Sequence, residues 1–336
     1  MKHKQKTLLK LFSASLVFLV GLALLFLIVM VFQPYQGHQQ QSVILRIARG
    51  STTHGIARLL ESHGIVFSGS IFELYARFLN PGPLQAGEYR FQGSVSIPFV
   101  VNKLQRGLVF YHRVLVPEGL SMDEMVERLV QENFGTPQQF LRQLEDISLV
   151  SDIDPLAKNL EGYLFPDTYF VTHYTEEKQI IRTMVRNFRN VWTSQRLERA
   201  RQLKLTTREV LTLASLIEKE TGIPAERPIV SAVFHNRLRS NLKLQCDPTV
   251  IYAMKVAAEY DGIIHQSDLR LDSPYNTYLY AGLPPGPIAS PGLASIDAAL
   301  YPANVSYLYF VAKDSGGHFF STNYGEHRRA VRQYQR

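Results

Sequence analysis

Thr207-Arg208-Glu209-Val210-Leu211-Thr212-Leu213-Ala214-Ser215-Leu216-Ile217-Glu218-Lys219-Glu220-Thr221 reads as a single helix. Thr206 and Glu209 stand at capping-box spacing, so side chains meet two of the first N–H groups. At about 100° per residue, Val210, Leu211, Leu213, Ala214, Leu216 and Ile217 cover a broad apolar arc. Thr212, Ser215 and Lys219 fall on the opposite face. Glu218 projects inside the arc, between Ala214 and Leu211, and Glu220 near its other edge, between Leu213 and Leu216. Both acids lie in the last turn, before Gly222 and Pro224 end the helix. Apolar surroundings and the negative end of the helix dipole both penalise a carboxylate and favour its protonated form. A general acid working near neutral pH needs that bias. The competing reading is a frayed helix end with Glu218 in water.

Downstream, polar side chains alternate with turn residues. Asn236-Arg237-Leu238 closes a helix, and Leu244-Gln245-Cys246-Asp247-Pro248-Thr249, Ser273-Pro274-Tyr275-Asn276-Thr277-Tyr278 and Gly282-Leu283-Pro284-Pro285-Gly286 follow. Such loops offer amides, hydroxyls and aromatic faces, the mixture a sugar needs. The same residues are also ordinary turn formers. Gly316-Gly317 is predicted to turn a hairpin between Tyr307–Val311 and Phe319–Ser321. His318 and His327 have no Cys or acid at a familiar ligand spacing, and no phosphate-binding or dinucleotide fingerprint occurs, so neither a metal nor a cofactor is expected. Cys246 is the only cysteine; it reads as a small packed residue, and no intrachain disulfide can form.

Upstream, Glu177 to about Gln202 is predicted as one long basic helix, and Gly162–Tyr169 as an aromatic, turn-rich loop. Pro137–Leu144 reads as a helix, Ser121 with Glu124 as a capping box, and Val114–Val116 as a strand. Residues 109–336 therefore form a larger mixed α+β domain. Before it, Val43–Ala48 and Ala86–Phe91 read as strands. Two helical stretches, ending at Gly64 and Leu79, lie between them, and a third runs from Ile97 to Leu104 after Ser96. This strand–helix–helix–strand order over residues 43–108 resembles the LysM-type modules that grip glycan strands.

Residues 33–42 are a polar linker. Leu11–Phe32 carries no charge over 22 residues, about 33 Å of helix, enough for a hydrocarbon core of about 30 Å. Lys2, Lys4, Lys6 and Lys10 precede it, which places the tail 1–10 in the cytoplasm and the rest of the chain outside. A cleaved signal peptide is the alternative, but its apolar run is ordinarily shorter and ends in small residues. The net charge of +7 owes four units to that tail, leaving +3 for residues 11–336. A basic surface for nucleic acid is therefore not expected.

Taken in order, Glu161–Tyr169, Leu213–Glu220, Asn236-Arg237-Leu238, Leu244-Gln245 with Asp247–Tyr252, Tyr275–Tyr278, Gly282–Gly286, Tyr307–Val311 and Gly317-His318 resemble the YceG-like endolytic murein transglycosylases. Cys246 stands where that pattern has Thr. The resemblance implies a membrane-anchored α+β enzyme that cuts the β-1,4 bond between N-acetylmuramic acid and N-acetylglucosamine without water, leaving 1,6-anhydro ends. It implies Glu218 as acid and base, with Glu220, Asn236, Gln245, Asp247, Tyr275, Asn276 and Thr277 along the substrate groove. Peptidoglycan glycan strands are the implied partner, with wall synthases or divisome proteins as further ones. Two other readings compete. A muramidase would use water and a second carboxylate, Asp247 or Asp272. A glycan-binding scaffold would need no acid at position 218.

Overall fold

In a computed structural model of the chain, which describes residues 2–314 and 316–335, α1 (Lys2–Phe32) is one unbroken helix of 31 residues. Met1, Ser315 and Arg336, and the side chains of residues 2–10, including the tail lysines, lie outside the described residues. Leu11–Phe32 is long and apolar enough to cross a membrane, a property shared by anchors and signal sequences.

Two compact units follow from the contacts: residues 1–112 with 172–174, and residues 113–171 with 175–336. In the first, the alternation of Val43, Leu45 and Ile47 forms β1 (Ser42–Ile47). Thr52 caps α2 (Thr53–Ser62) by accepting from Gly55 N–H, and α3 (Gly69–Leu74) widens into one looser turn over Tyr75–Leu79. β2 (Gly87–Gln92) lies antiparallel to β1, Ser42 opposite Gln92 and Ile47 opposite Gly87. α4 (Ile97–Gln105) closes the unit. Ile97, Val100, Val101 and Leu104 are buried with Leu45, Leu60, Phe72 and Tyr89. Ser96 stands at the N-cap position as expected, yet its hydroxyl makes no capping bond.

β3 (His112–Val116) leads from the first unit into the second and pairs with β4 below. α5 (Met122–Gln131) carries the full Ser121–Glu124 capping box, and α6 (Pro137–Leu144) follows. β4 (Asp167–Val171) takes up the end of the predicted aromatic loop. The predicted long helix is two, α7 (Glu177–Val191) and α8 (Ser194–Gln202). The chain leaves helical geometry at Trp192, and the Thr193 hydroxyl caps the new helix by accepting from Arg196 N–H. Local capping thus wins over a basic pattern that runs on unbroken.

Next come α9 (Thr207–Glu220), α10 (Arg227–Arg239), α11 (Asp247–Val256) and α12 (Leu293–Leu300). The hairpin β5 (Tyr309–Ala312) and β6 (His318–Ser321) and the terminal α13 (Tyr324–Tyr334) complete the unit. α9 is the hub: α8, α10, α11 and α12 all pack on it. Every residue from Val210 to Ile217 is buried. Each of its Val, Leu and Ile side chains contributes roughly 2 kcal/mol by leaving water. Thr212 and Ser215, on the opposite face, are buried because neighbouring helices cover the middle of α9, while Lys219 in the last turn stays exposed. Ser215 Oγ instead donates to the Thr212 carbonyl at 2.7 Å and accepts from Ile288 N–H at 3.1 Å, tying the 288–292 loop to the hub.

Candidate active site

The last turn of α9 presents two carboxylates to two different environments. Glu218 is 7% exposed. Its Oε1 accepts from Arg227 Nη2 at 3.1 Å, and its Oε2 accepts from Gly292 N–H at 3.0 Å. Gly292 is the N-cap of α12, so the carboxylate at the negative end of one helix meets the positive end of another. Arg227 opens α10 and is itself nearly buried. Charge-assisted donors on both oxygens fix the carboxylate's orientation.

The turn before α5 forms the other wall. Gly119 sits at φ +79, a conformation that favours glycine, and a Cβ there would lie 3.5 Å from Glu218 Cγ. Lys219 Nζ donates to the Gly119 carbonyl at 3.1 Å, while Gly119 N–H donates to Ser290 O at 2.9 Å. Beside it, Glu118 brings its Oε2 to 3.8 Å from the same Arg227 Nη2, with 47% of its side chain exposed. Burial of its carboxyl, and then the negative charge of Glu218, raise the Glu118 pKa above the usual carboxylate range, against the pull of Arg227.

Glu220 faces elsewhere. It lines a cavity of about 480 Å³ with Arg237, Gln245, Asp247, Tyr278 and His318. Desolvation pushes its pKa up to about 7, against a hydrogen bond from the Cys246 thiol. Cys246 is buried, and burial and then the Glu220 charge hold its proton firmly in place. Tyr278 donates to Asp247, and Arg237 to Gln245. Three of the predicted groove residues, Glu220, Gln245 and Asp247, are thus brought together.

The remaining ones are engaged within the fold. Asn236 Nδ2 donates to the carbonyls of Val305 and Tyr307, while its Oδ1 accepts from Arg239. Asn276 is fully buried: its Nδ2 donates to Leu269 O and Leu271 O, and its Oδ1 accepts from Tyr278 N–H. The Thr277 hydroxyl accepts from Cys246 N–H and meets Thr249 Oγ1 at 2.9 Å. The partly buried Tyr275 ring lies 4.9 Å from that of Tyr252. These side chains shape the loops. Asp272 accepts from the Tyr280 hydroxyl. Neither Asp247 nor Asp272 is the acid that shares Arg227 with Glu218; Glu118 is.

Two further acids are buried. Glu161 accepts from Met122 N–H, at the start of α5, and from the Tyr252 hydroxyl; desolvation pushes its pKa up to about 8. Glu88, in the first unit, lies close enough to His112 and His173 for the three to share an ion. Its oxygens are already committed, Oε1 to Arg46 at 2.8 Å and Oε2 to His112 Nε2 at 2.9 Å. That arrangement reads as a satisfied buried ion pair.

Glu118, Arg227 and Gly292 carry little or no local signal in the sequence. Pro117-Glu118-Gly119, between a strand and a capping box, was the available signal for the first. Nothing local marks the other two.

The YceG-like family model matches residues 45–333. The chain belongs to the YceG-like family. An endolytic murein transglycosylase of Bacillus subtilis (strain 168) is 32% identical over 318 residues, covering 90% of this chain and 87% of that protein. A protein of the same name from Streptococcus pneumoniae (strain D39) is 30% identical over 334 residues, and this chain spans 60% of its length. A YceG-like protein of Listeria monocytogenes, known from a crystal structure, superposes with a TM-score of 0.59 at 32% identity, covering 86% of this chain and 98% of that one. The YceG-like match takes in α9, the 288–292 loop and the turn at Glu118.

Proposed function

We propose that this chain is a membrane-anchored endolytic lytic transglycosylase that cuts nascent peptidoglycan strands on the outer side of the cytoplasmic membrane and so ends their elongation. The observation that carries this reading is Glu218. It is a nearly buried carboxyl at the end of the hub helix, oriented by Arg227 and Gly292, in a chain whose relatives bear the name of that activity. Glu218 protonates the oxygen between N-acetylmuramic acid and N-acetylglucosamine, and the C1–O bond breaks. The substrate's own 6-hydroxyl then attacks C1 and gives its proton back to Glu218, so one carboxyl serves as acid and then base. Glu220, Gln245 and Asp247 contact the strand from the neighbouring cavity, while Asn236, Tyr275, Asn276 and Thr277 hold its walls.

Leu11–Phe32 serves as an uncleaved anchor with residues 1–10 in the cytoplasm, and residues 33–42 as the tether. The β–α–α–β unit of residues 43–108 acts as a LysM-like grip on the strand, and residues 109–336 carry catalysis. Wall synthases or divisome proteins are the natural neighbours of such an enzyme.

A hydrolytic reading has one observation in its favour: Glu118 is a second carboxylate beside the first. Product masses separate the two. Full-length protein in detergent, incubated with uncrosslinked strands, is expected to release ends lighter by one water than a hydrolytic product. Hydrated ends instead make the chain a muramidase. Uncut strands leave it a binding scaffold.

A further inference from the structure

Arg227 Nη2 lies 3.1 Å from Glu218 Oε1 and 3.8 Å from Glu118 Oε2, so one guanidinium nitrogen serves two carboxylates. Gly292 packs against both. Its N–H donates to Glu218, and a Cβ on it would stand 2.0 Å from Glu118 Cδ. The two acids differ in access, with Glu118 half exposed and Glu218 nearly buried. Neither bond is local: residues 118, 218, 227 and 292 come from the turn before α5, the end of α9, the start of α10 and the start of α12.

We propose that Glu118 is a positioning residue of the catalytic centre: its carboxylate shares Arg227 with Glu218 and offsets the guanidinium charge beside the acid that performs the first step of cleavage. The inference rests on the reading of Glu218 as the acid. A guanidinium paired with a single carboxylate favours the ionised form, the form that cannot protonate a leaving oxygen. A second negative charge on the same guanidinium weakens that hold. The Glu118 pKa is raised first by burial and then by the Glu218 charge, against Arg227, so the two carboxylates oppose each other's ionisation. The other charge packed on this turn is Lys219, anchored on the Gly119 carbonyl. It is the same in every variant below. From α12 the site receives the Gly292 N–H.

The test is the pH profile of kcat/KM for strand cleavage by the full-length protein in detergent, with wild type, Glu118→Gln, Glu118→Asp and Glu218→Gln side by side. Glu118→Gln removes the charge. The alkaline fall of its profile is expected to begin about one pH unit lower than in wild type, with roughly tenfold less activity at neutral pH and KM little changed. Glu118→Asp keeps the charge and is expected to keep the alkaline limb in place. Glu118→Ser is the second neutral variant, with the same expectation as Gln, should the amide not purify. A neutral variant whose limb coincides with wild type overturns the proposal. So does a loss of equal size at every pH, or an Asp variant that behaves like the neutral one. Cleavage by Glu218→Gln would instead show that the underlying reading has failed.

Discussion

Glu218 and Glu220 stand two residues apart on one helix, yet the fold gives them opposite company. Glu218 looks onto charge and directed donors, with Arg227, the Gly292 N–H and Glu118 within reach. Glu220 looks onto a buried thiol and a cavity, and its carboxyl is pushed up to about 7 by the loss of water. The first arrangement fixes and aims a carboxyl group; the second merely makes ionisation costly. A shifted pKa is therefore a poor guide to which acid reacts, because burial alone raises it, as at Glu161. Geometry separates them: Glu218 has an aimed carboxylate beside a second acid that reaches solvent.

The contrast can be broken experimentally. Gly292→Ala has the largest effect expected outside the two glutamates. A Cβ there would fall 2.0 Å from the Glu118 carboxyl carbon and disturb the N–H held by Glu218. Cleavage is expected to fall ~100-fold, the usual cost of one oriented donor, with little change in melting temperature. Rates within twofold of wild type would mean that the packing around Glu218 does not matter.

On the other side the losses are expected in stability. Asn276→Ala strands the carbonyls of Leu269 and Leu271 and the Tyr278 N–H. A cost of about 2–3 kcal/mol in denaturant unfolding is expected. A normal midpoint with weakened strand binding would return Asn276 to the groove.

Glu220 supplies a pH test. Its folded pKa of about 7 lies above the ordinary 4.5. Its contribution is therefore fully present below pH 4.5 and is lost as pH rises through 7. The penalty reaches on the order of 3 kcal/mol at neutral pH. Glu220→Gln is expected to flatten the fall in melting temperature between pH 5 and 8. Parallel curves for the variant and wild type would remove the desolvation argument. The smallest effect belongs to Cys246, whose buried thiol is expected to resist alkylation until the protein unfolds.

Much of the scaffold was legible because its signals are local. The capping boxes at Ser121 and Thr206, the β1 alternation and the Gly316-Gly317 hairpin need only a few neighbouring residues. The break at Trp192-Thr193 was not legible, because the basic pattern continues across it and only the Thr193 hydroxyl marks the restart. The polar loops are ambiguous for a different reason. An Asn that satisfies backbone carbonyls and an Asn that binds sugar hydroxyls look alike in composition; Asn236 and Asn276 do the former. Glu218 is legible from its place on the helix. Its partners at 118, 227 and 292 come from three other elements, so no spacing rule links them to it.

The most direct test of the account compares Glu218→Gln with Glu220→Gln on the same uncrosslinked strands. Loss of about 1,000-fold or more in Glu218→Gln, against a change of no more than about tenfold in Glu220→Gln, is the expected result. Comparable losses in the two, or strands still cut by Glu218→Gln, would contradict it.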